Sequence, residues 1–210
     1  MSANRAASWT YAEQFITECP VAEDARERGL ALGAVPVGQA TGAALRMLAS
    51  ASAAKAVVEI GTGAGVSGLW LLSGMPSDGI LTTIDVDADH QRAAKEAFAA
   101  AGVAHQRTRV ILGRALDVLA RMTDAAYDMA FVDGDKDEYP AYVQEATRLL
   151  RRGGVLVLDN MLWHDQVADP AARDDRTRTL RDLGKSLRED EAFATTLLPV
   201  GDGLLVAVKR

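Results

Sequence analysis

Apolar residues recur along the chain in two alternating patterns. Between about positions 8 and 52 they keep helical spacing, at Phe15, Ile16, Leu30, Leu45 and Leu48, with breaks at Pro20, Gly33 and Pro36. Beyond this stretch, short continuous runs rich in Val, Ile and Leu occupy 57–60, 80–84, 109–112, 129–132 and 155–158. Runs of that length without polar alternation predict strands covered on both faces of a parallel sheet. Helical faces lie between them: Ala93, Ala94, Ala97, Phe98 and Ala101 share one, and Tyr142, Val143, Ala146, Leu149 and Leu150 another, where Pro140 is tolerable in a first turn. Repeated βα units imply right-handed crossovers.

The end of the chain departs from this rhythm. Leu180, Leu183 and Leu187 form a helical stripe, "VADPAARDDRTR" ahead of it reads as a surface loop, and "TTLLPVGDGLLVAVKR" reads as two strands joined through Gly201, Asp202 and Gly203. The expected fold class is therefore α/β: a doubly wound, mostly parallel seven-stranded sheet with a C-terminal antiparallel hairpin. One domain is expected over residues 1–210, with 1–52 as an N-terminal helical extension.

Composition narrows the partners. The 210 residues are 49% hydrophobic and 25% charged, as in globular proteins, and a net charge of -6 supplies no basic field for a phosphate backbone or an anionic membrane. Neither nucleic acid nor membrane is an expected partner. The N-terminus "MSANRAASWTYAEQF" has no apolar core of a signal peptide and no run of 18 apolar residues occurs, so the cytoplasm is the expected compartment. The single cysteine, Cys19, excludes an intramolecular disulfide and reads as inert packing.

Candidate chemistry gathers where the strands end, the edge at which open α/β sheets bind ligands. "VVEIGTGAGVSG" can be read in two registers. From Gly63, "GAGVSG" matches the dinucleotide fingerprint G-x-G-x-x-G, which predicts an NAD-dependent oxidoreductase. From Glu59, E-x-G-x-G-x-G is a loop that cradles S-adenosylmethionine, with an acid suited to a cationic cofactor. The strand at 57–60 leads straight into Gly61 and favours the second register. Asp85, closing "ILTTIDVDAD", can accept ribose hydroxyls of either cofactor, or serve only as a turn or helix-capping acid.

Two further strands end in oxygen donors: "MAFVDGDKDEY" at Asp133, and "VLVLDN" at Asp159 and Asn160. If these strands are neighbours, two carboxylates and an amide converge, a donor set for Mg²⁺, Mn²⁺ or Ca²⁺ and a poor one for zinc. The competing reading has Asp133 capping a helix and Asp159 ordering a loop.

On "VVEIGTGAGVSGLWL", "ILTTIDVD", "GRALDVL", "FVDGDKDEY" and "DNMLWHDQV", from about Val35 to the C-terminus, the chain resembles the cation-dependent O-methyltransferases of the class I S-adenosylmethionine fold. That group contains the caffeoyl-CoA and catechol O-methyltransferases. The resemblance implies methyl transfer from S-adenosylmethionine to a hydroxyl of a catechol-like small molecule, with a divalent cation, Mg²⁺ first, held by Asp133, Asp159 and Asn160. It places Glu59, Gly61, Gly63, Ser67, Asp85, Val86, Ala115, Asp133 and Asp135 in the cofactor site, with Val37 touching it from the preceding segment. Lys136 matches a lysine that accepts or electrostatically assists the acceptor's proton, and Trp163 matches an aromatic wall beside the acceptor; a core or dimer-interface role is the alternative for Trp163. A homodimer is implied, with the N-terminal helices as interface or lid. The chain departs from the group in its short, poorly matched N-terminal region and in lacking the plant enzymes' recognition segment after Trp163. His90 and His164 read as surface residues. A noncatalytic S-adenosylmethionine-binding dimer is the remaining alternative.

Overall fold

A computed structural model describes residues 3–210. Helices α1 (Ala3–Glu13), α2 (Pro20–Ala31) and α3 (Gln39–Ala51) precede strand β1 (Ala56–Ile60). Then follow α4 (Val66–Gly74), β2 (Ile80–Asp85), α5 (Ala88–Ala100), β3 (Thr108–Leu112), α6 (Ala115–Leu119), β4 (Tyr127–Val132), α7 (Tyr139–Leu149), β5 (Leu150–Leu158), α8 (Asp175–Glu189), β6 (Phe193–Leu198) and β7 (Leu204–Lys209). The seven strands form one sheet in the order β3-β2-β1-β4-β5-β7-β6, in which β1 to β5 are parallel and β7 runs antiparallel to both β5 and β6. The expected fold class is borne out, hairpin included.

Each central strand feeds two cores. On β4, Met129 and Phe131 join the layer built with α3, α4 and α5, whereas Ala130 and Val132 join the layer built with α7 and α8. Side chains alternate across a strand, so a strand covered on both sides needs apolar residues at every position. That requirement is why β4 from Met129 onward and the second half of β5 read as unbroken apolar runs, whereas β1 admits Glu59 and β2 Thr82 and Thr83 as buried polar residues. Among the described residues, no helix is long and apolar enough to cross a membrane.

Local expectations fail in four places. Helix α1 starts at Ala3, ahead of the apolar pattern, and Phe15 and Leu30 stand 66% and 59% exposed where helical spacing suggested packing. Leu150 opens β5 instead of closing the helix; the strand crosses a register shift opposite Tyr127 and Met129, where Arg151 pairs with Asp128 at 2.6 Å. The end of the expected loop at 167–178 is helical, because Asp174 caps α8 by accepting from the Thr177 amide at 2.9 Å. Cys19, expected as inert packing, is exposed at the N-cap of α2.

Candidate active site

Strand order reverses between β1 and β4, since β2 and β3 lie to one side of β1 and β5 to the other side of β4. The tips of β1 and β4 therefore open a crevice at the switch point, and both carry the residues singled out above. Gly61 leaves β1 at φ +94°, and a Cβ there would fall 2.2 Å from the Asp133 carbonyl oxygen. Only glycine allows the β1 loop to lie this close to the β4 tip. Gly63 and Gly65 continue the turn at positive φ, and α4 begins immediately after.

Two adjoining cavities, each of about 400 Å³, meet at Gly61 and Asp85. The first is bounded by the strap of residues 34–37, by Gly63 and Ser67, and by Asp133, Lys136, Asn160 and Trp163. The second is bounded by Val86, Ala115, Asp135 and Tyr142. Of the residues named from sequence, Glu59 and Asp159 are the two that lie beneath the cavity walls, both buried.

Glu59 is fully buried in β1. Its Oε2 accepts from Thr83 Oγ1 at 2.6 Å, Thr83 in turn meets Thr62 at 2.7 Å, and Oε1 makes no hydrogen bond within the geometric limits to any described residue. Burial pushes this carboxyl up to about 7 against the opposing help of Ser67 and Thr83, and the charges of Asp133 and Asp85 add to the rise. A buried acid with one free oxygen at the base of a ligand crevice suits a positively charged ligand. Asp85 accepts from the Gly63 amide at 2.9 Å and the Asp87 amide at 2.9 Å, so it shapes the glycine loop directly. The capping alternative for Asp85 falls to Asp87, which accepts from the amides of Asp89 and His90.

The β4 and β5 tips are adjacent: Val132 pairs with Leu158, and the Asp159 amide donates to the Val132 carbonyl at 3.1 Å. Asp159 is 4% exposed, with Oδ1 buried and unpartnered. Burial first, then the charge of Asp133, pushes Asp159 up to about 7. Asn160 follows at φ +57°, a left-handed turn that asparagine tolerates, and lines the same cavity as Asp133. Among the described residues no three His, Cys, Asp or Glu side chains gather as a metal site.

Lys136 Nζ donates to Asp133 Oδ1 at 2.8 Å, the Gly134 carbonyl at 3.2 Å and Tyr139 Oη at 2.8 Å. The fully buried Tyr139 hydroxyl in turn lies 3.2 Å from the Val132 carbonyl and 3.1 Å from that of Asp159, so it joins both strand tips to the lysine. Trp163, at φ +48°, is half-buried between the cavity and the α7–α8 core, with the Arg176 guanidinium 5.9 Å from its ring centre. Asp135 is more exposed than its neighbours; it caps the turn that carries Lys136.

The O-methyltransferase family profile matches residues 13–210. The chain belongs to the O-methyltransferase family. A relative from Mycobacterium sp. (strain JLS) that bears an O-methyltransferase name is 50% identical over 199 residues, 95% of this chain and 90% of that one. Among solved structures, a Corynebacterium glutamicum protein superposes on this methyltransferase with a TM-score of 0.90 at 33% identity, covering 99% of this chain and 97% of that one. The O-methyltransferase TomG of Streptomyces achromogenes, crystallised with S-adenosylmethionine, gives 0.86 at 30% identity over 100% and 99% of the two chains. Family membership displaces the oxidoreductase alternative.

One histidine of the methyltransferase corrects the surface reading. His90 lines the first cavity, its Nδ1 3.7 Å from Asp85 and its Nε2 3.4 Å from the Leu32 carbonyl, whereas His164 is the exposed surface residue expected, at the rim of the same cavity. The N-cap turn "DADH", present in the sequence, directs His90 back over the strand end. Tyr139 was legible too, three residues beyond Lys136, whereas Thr62 and Thr83 carry no motif and become visible only through β1–β2 pairing.

Proposed function

We propose that this methyltransferase moves a methyl group from S-adenosylmethionine to one hydroxyl of a catechol-like acceptor, with a divalent cation, Mg²⁺ in the first instance, at Asp133, Asp159 and Asn160. The observation that carries the reading is the pair of adjacent carboxylates with an orphaned buried Oδ1, beside a glycine loop above a buried acid. A desolvated Asp159 carboxylate whose proton affinity is raised further by the charge of Asp133 is an environment a bound cation relieves. An ion held there would supply Lewis acidity and a template for two vicinal oxygens.

The residues of the chain account for the remaining steps. Glu59 supplies negative charge beneath a donor whose sulfonium makes its methyl electrophilic, and the two cavities hold that donor across Gly61 and Asp85. A phenol titrates near ~10, so its proton must leave or be shared as the nucleophile forms. Lys136 faces three acceptors, and a neutral amine has only two N–H donors to give them; the arrangement fits an ammonium acting as charge partner to the developing phenolate. Trp163 walls the acceptor side.

One assay tests both statements. With S-adenosylmethionine and a catechol, turnover should vanish on exhaustive EDTA treatment and return with Mg²⁺; turnover that persists in EDTA sinks the metal assignment. In the same assay Lys136→Arg should keep activity within about tenfold of wild type, because a guanidinium preserves the charge. Loss of the full ~10²–10⁴-fold ascribed to a general base would instead assign Lys136 to proton transfer.

A homodimer built on the N-terminal helices is part of the proposal. Its support is an apolar surface on that region: Tyr11 and Phe15, ring centres 5.8 Å apart, and Met47 on α3, all exposed. Light scattering should return twice the chain mass, with Tyr11→Glu shifting it toward the monomer; a monomeric wild type at micromolar concentration removes the dimer from the account.

A further inference from the structure

We propose that Arg26, paired with Glu18, is a positioning residue for the methyl donor, fixing the strap of residues 34–37 that walls the first cavity. The inference rests on the S-adenosylmethionine reading of that cavity. Arg26 projects from α2. Its Nε donates to Glu18 Oε2 at 2.8 Å and its Nη2 to Glu18 Oε1 at 2.6 Å, a two-pronged pair in which the Glu18 side chain is 1% exposed. The same guanidinium reaches forward to the strap, Nη1 to the Pro36 carbonyl at 3.3 Å and Nη2 to the Val37 carbonyl at 2.5 Å.

The strap needs such a tether. After Gly33 turns at φ +83° the chain is irregular until α3, and its Ala34, Val35, Pro36 and Val37 all border the cavity. No sheet or helix ladder holds the Pro36 and Val37 carbonyls, so Arg26 supplies what a ladder would. Glu18 in turn accepts from Trp70 Nε1 at 3.2 Å. Trp70 sits one turn beyond Ser67 on α4, the helix that follows the glycine loop. A Cβ on Gly42 of α3 would fall 2.3 Å from that indole nitrogen, so α3 closes on it. Strap and glycine loop, which both border the cavity, are thus referenced to one buried ion pair.

Four of the five guanidinium N–H groups are needed for this geometry, and a lysine cannot reproduce the planar fork. Removing the fork leaves Glu18 buried without its cation and frees two strap carbonyls, while the Lys136 contacts with Asp133 and Tyr139 are untouched. The effect should therefore fall on donor binding and spare the methyl-transfer step. A purely structural role would lower all kinetic constants together with the melting temperature.

The test compares wild type, Arg26→Met and Arg26→Lys by calorimetric titration with S-adenosylhomocysteine and by steady-state kinetics. Arg26→Met should weaken S-adenosylhomocysteine at least about tenfold and raise the KM for S-adenosylmethionine in parallel. Its kcat at saturating donor should stay within about twofold, and Arg26→Lys should recover only part of the affinity. Equal affinity in wild type and Arg26→Met, or a fall in kcat without a change in affinity, overturns the assignment. Should Arg26→Met not fold, unchanged affinity in Arg26→Lys overturns it as well. A wild type that fails to bind S-adenosylhomocysteine overturns the cofactor reading itself, a result distinguishable from either.

Discussion

Asp159→Asn is expected to abolish metal-dependent turnover and, at the same time, to make the metal-free protein more stable. The two effects share one cause. Asp159 is buried beside Asp133, and its carboxyl is pushed up to about 7, far above the ordinary carboxylate range. Between the unfolded value near ~4 and the folded value of about 7, the native state binds more protons than the unfolded state, so stability falls as pH rises through that window. Above it, an apo protein carries the whole cost of a desolvated charge facing a like charge. An asparagine removes that charge and should gain about 2 kcal/mol at pH 8, roughly 6 °C in Tm for a chain of this length. Without the second carboxylate, loss of metal-supplied stabilisation worth several kcal/mol should cost on the order of 10³-fold in kcat/KM. Melting curves of the apo protein from pH 5.5 to 8 should slope downward, less steeply in Asp159→Asn; Glu59, shifted in the same direction, maintains the residual slope. Titration with Mn²⁺ should show binding to wild type alone. An Asp159→Asn protein that is less stable than wild type at pH 8 and still binds Mn²⁺ would remove this carboxylate from the metal site.

Gly61→Ala is expected to eliminate cofactor binding through a clash with backbone. The added Cβ would lie 2.2 Å from the Asp133 carbonyl oxygen and 2.8 Å from its carbon, atoms that cannot rotate away as a side chain can. On either side, the Gly61 amide donates to the Ile84 carbonyl at 2.9 Å and the Asp133 amide to the Ile60 carbonyl at 2.8 Å. The strand tips must separate to admit a methyl group, and both ladder bonds go with them. We expect a loss of about 3 kcal/mol in stability and at least a hundredfold in affinity for S-adenosylhomocysteine. Gly102→Ala is the control. Gly102 also has positive φ, at +69°, but a Cβ there meets nothing within 4 Å. It should lose only about 1 kcal/mol, the conformational part, and keep full activity. Similar behaviour of the two variants would show that strain alone, and not the β1–β4 approach, governs position 61.

Much of this could be read before any coordinates. The stretch Val155 to Leu158 reads as a strand buried on both faces, because a short β-branched and aliphatic run follows two glycines and leads into Asp159 and Asn160. The same reasoning located Glu59, Asp85 and Asp133 at strand ends. What periodicity could not supply was partnership. Phe15 and Leu30 satisfy helical spacing and still face outward, since a stripe specifies a face and not what covers it. Leu150 fits a helix face equally well but is pulled into β5 by pairing with Tyr127. His90 looked like a surface residue because a helix N-terminus is usually solvated; here it faces Asp85 and the Leu32 carbonyl.

Local pattern alone therefore determined the elements, their alternation and the inventory of oxygen donors, because each depends on residues a few positions apart. The tertiary structure decided which donors meet and in what state of charge. Placing β4 between β1 and β5 brings Asp133 beside both Gly61 and Asp159, and folding Thr83 against Glu59 leaves that acid one free oxygen. Proton affinity follows exclusion of water and the charges of distant segments, and neither exists until the chain has closed on itself.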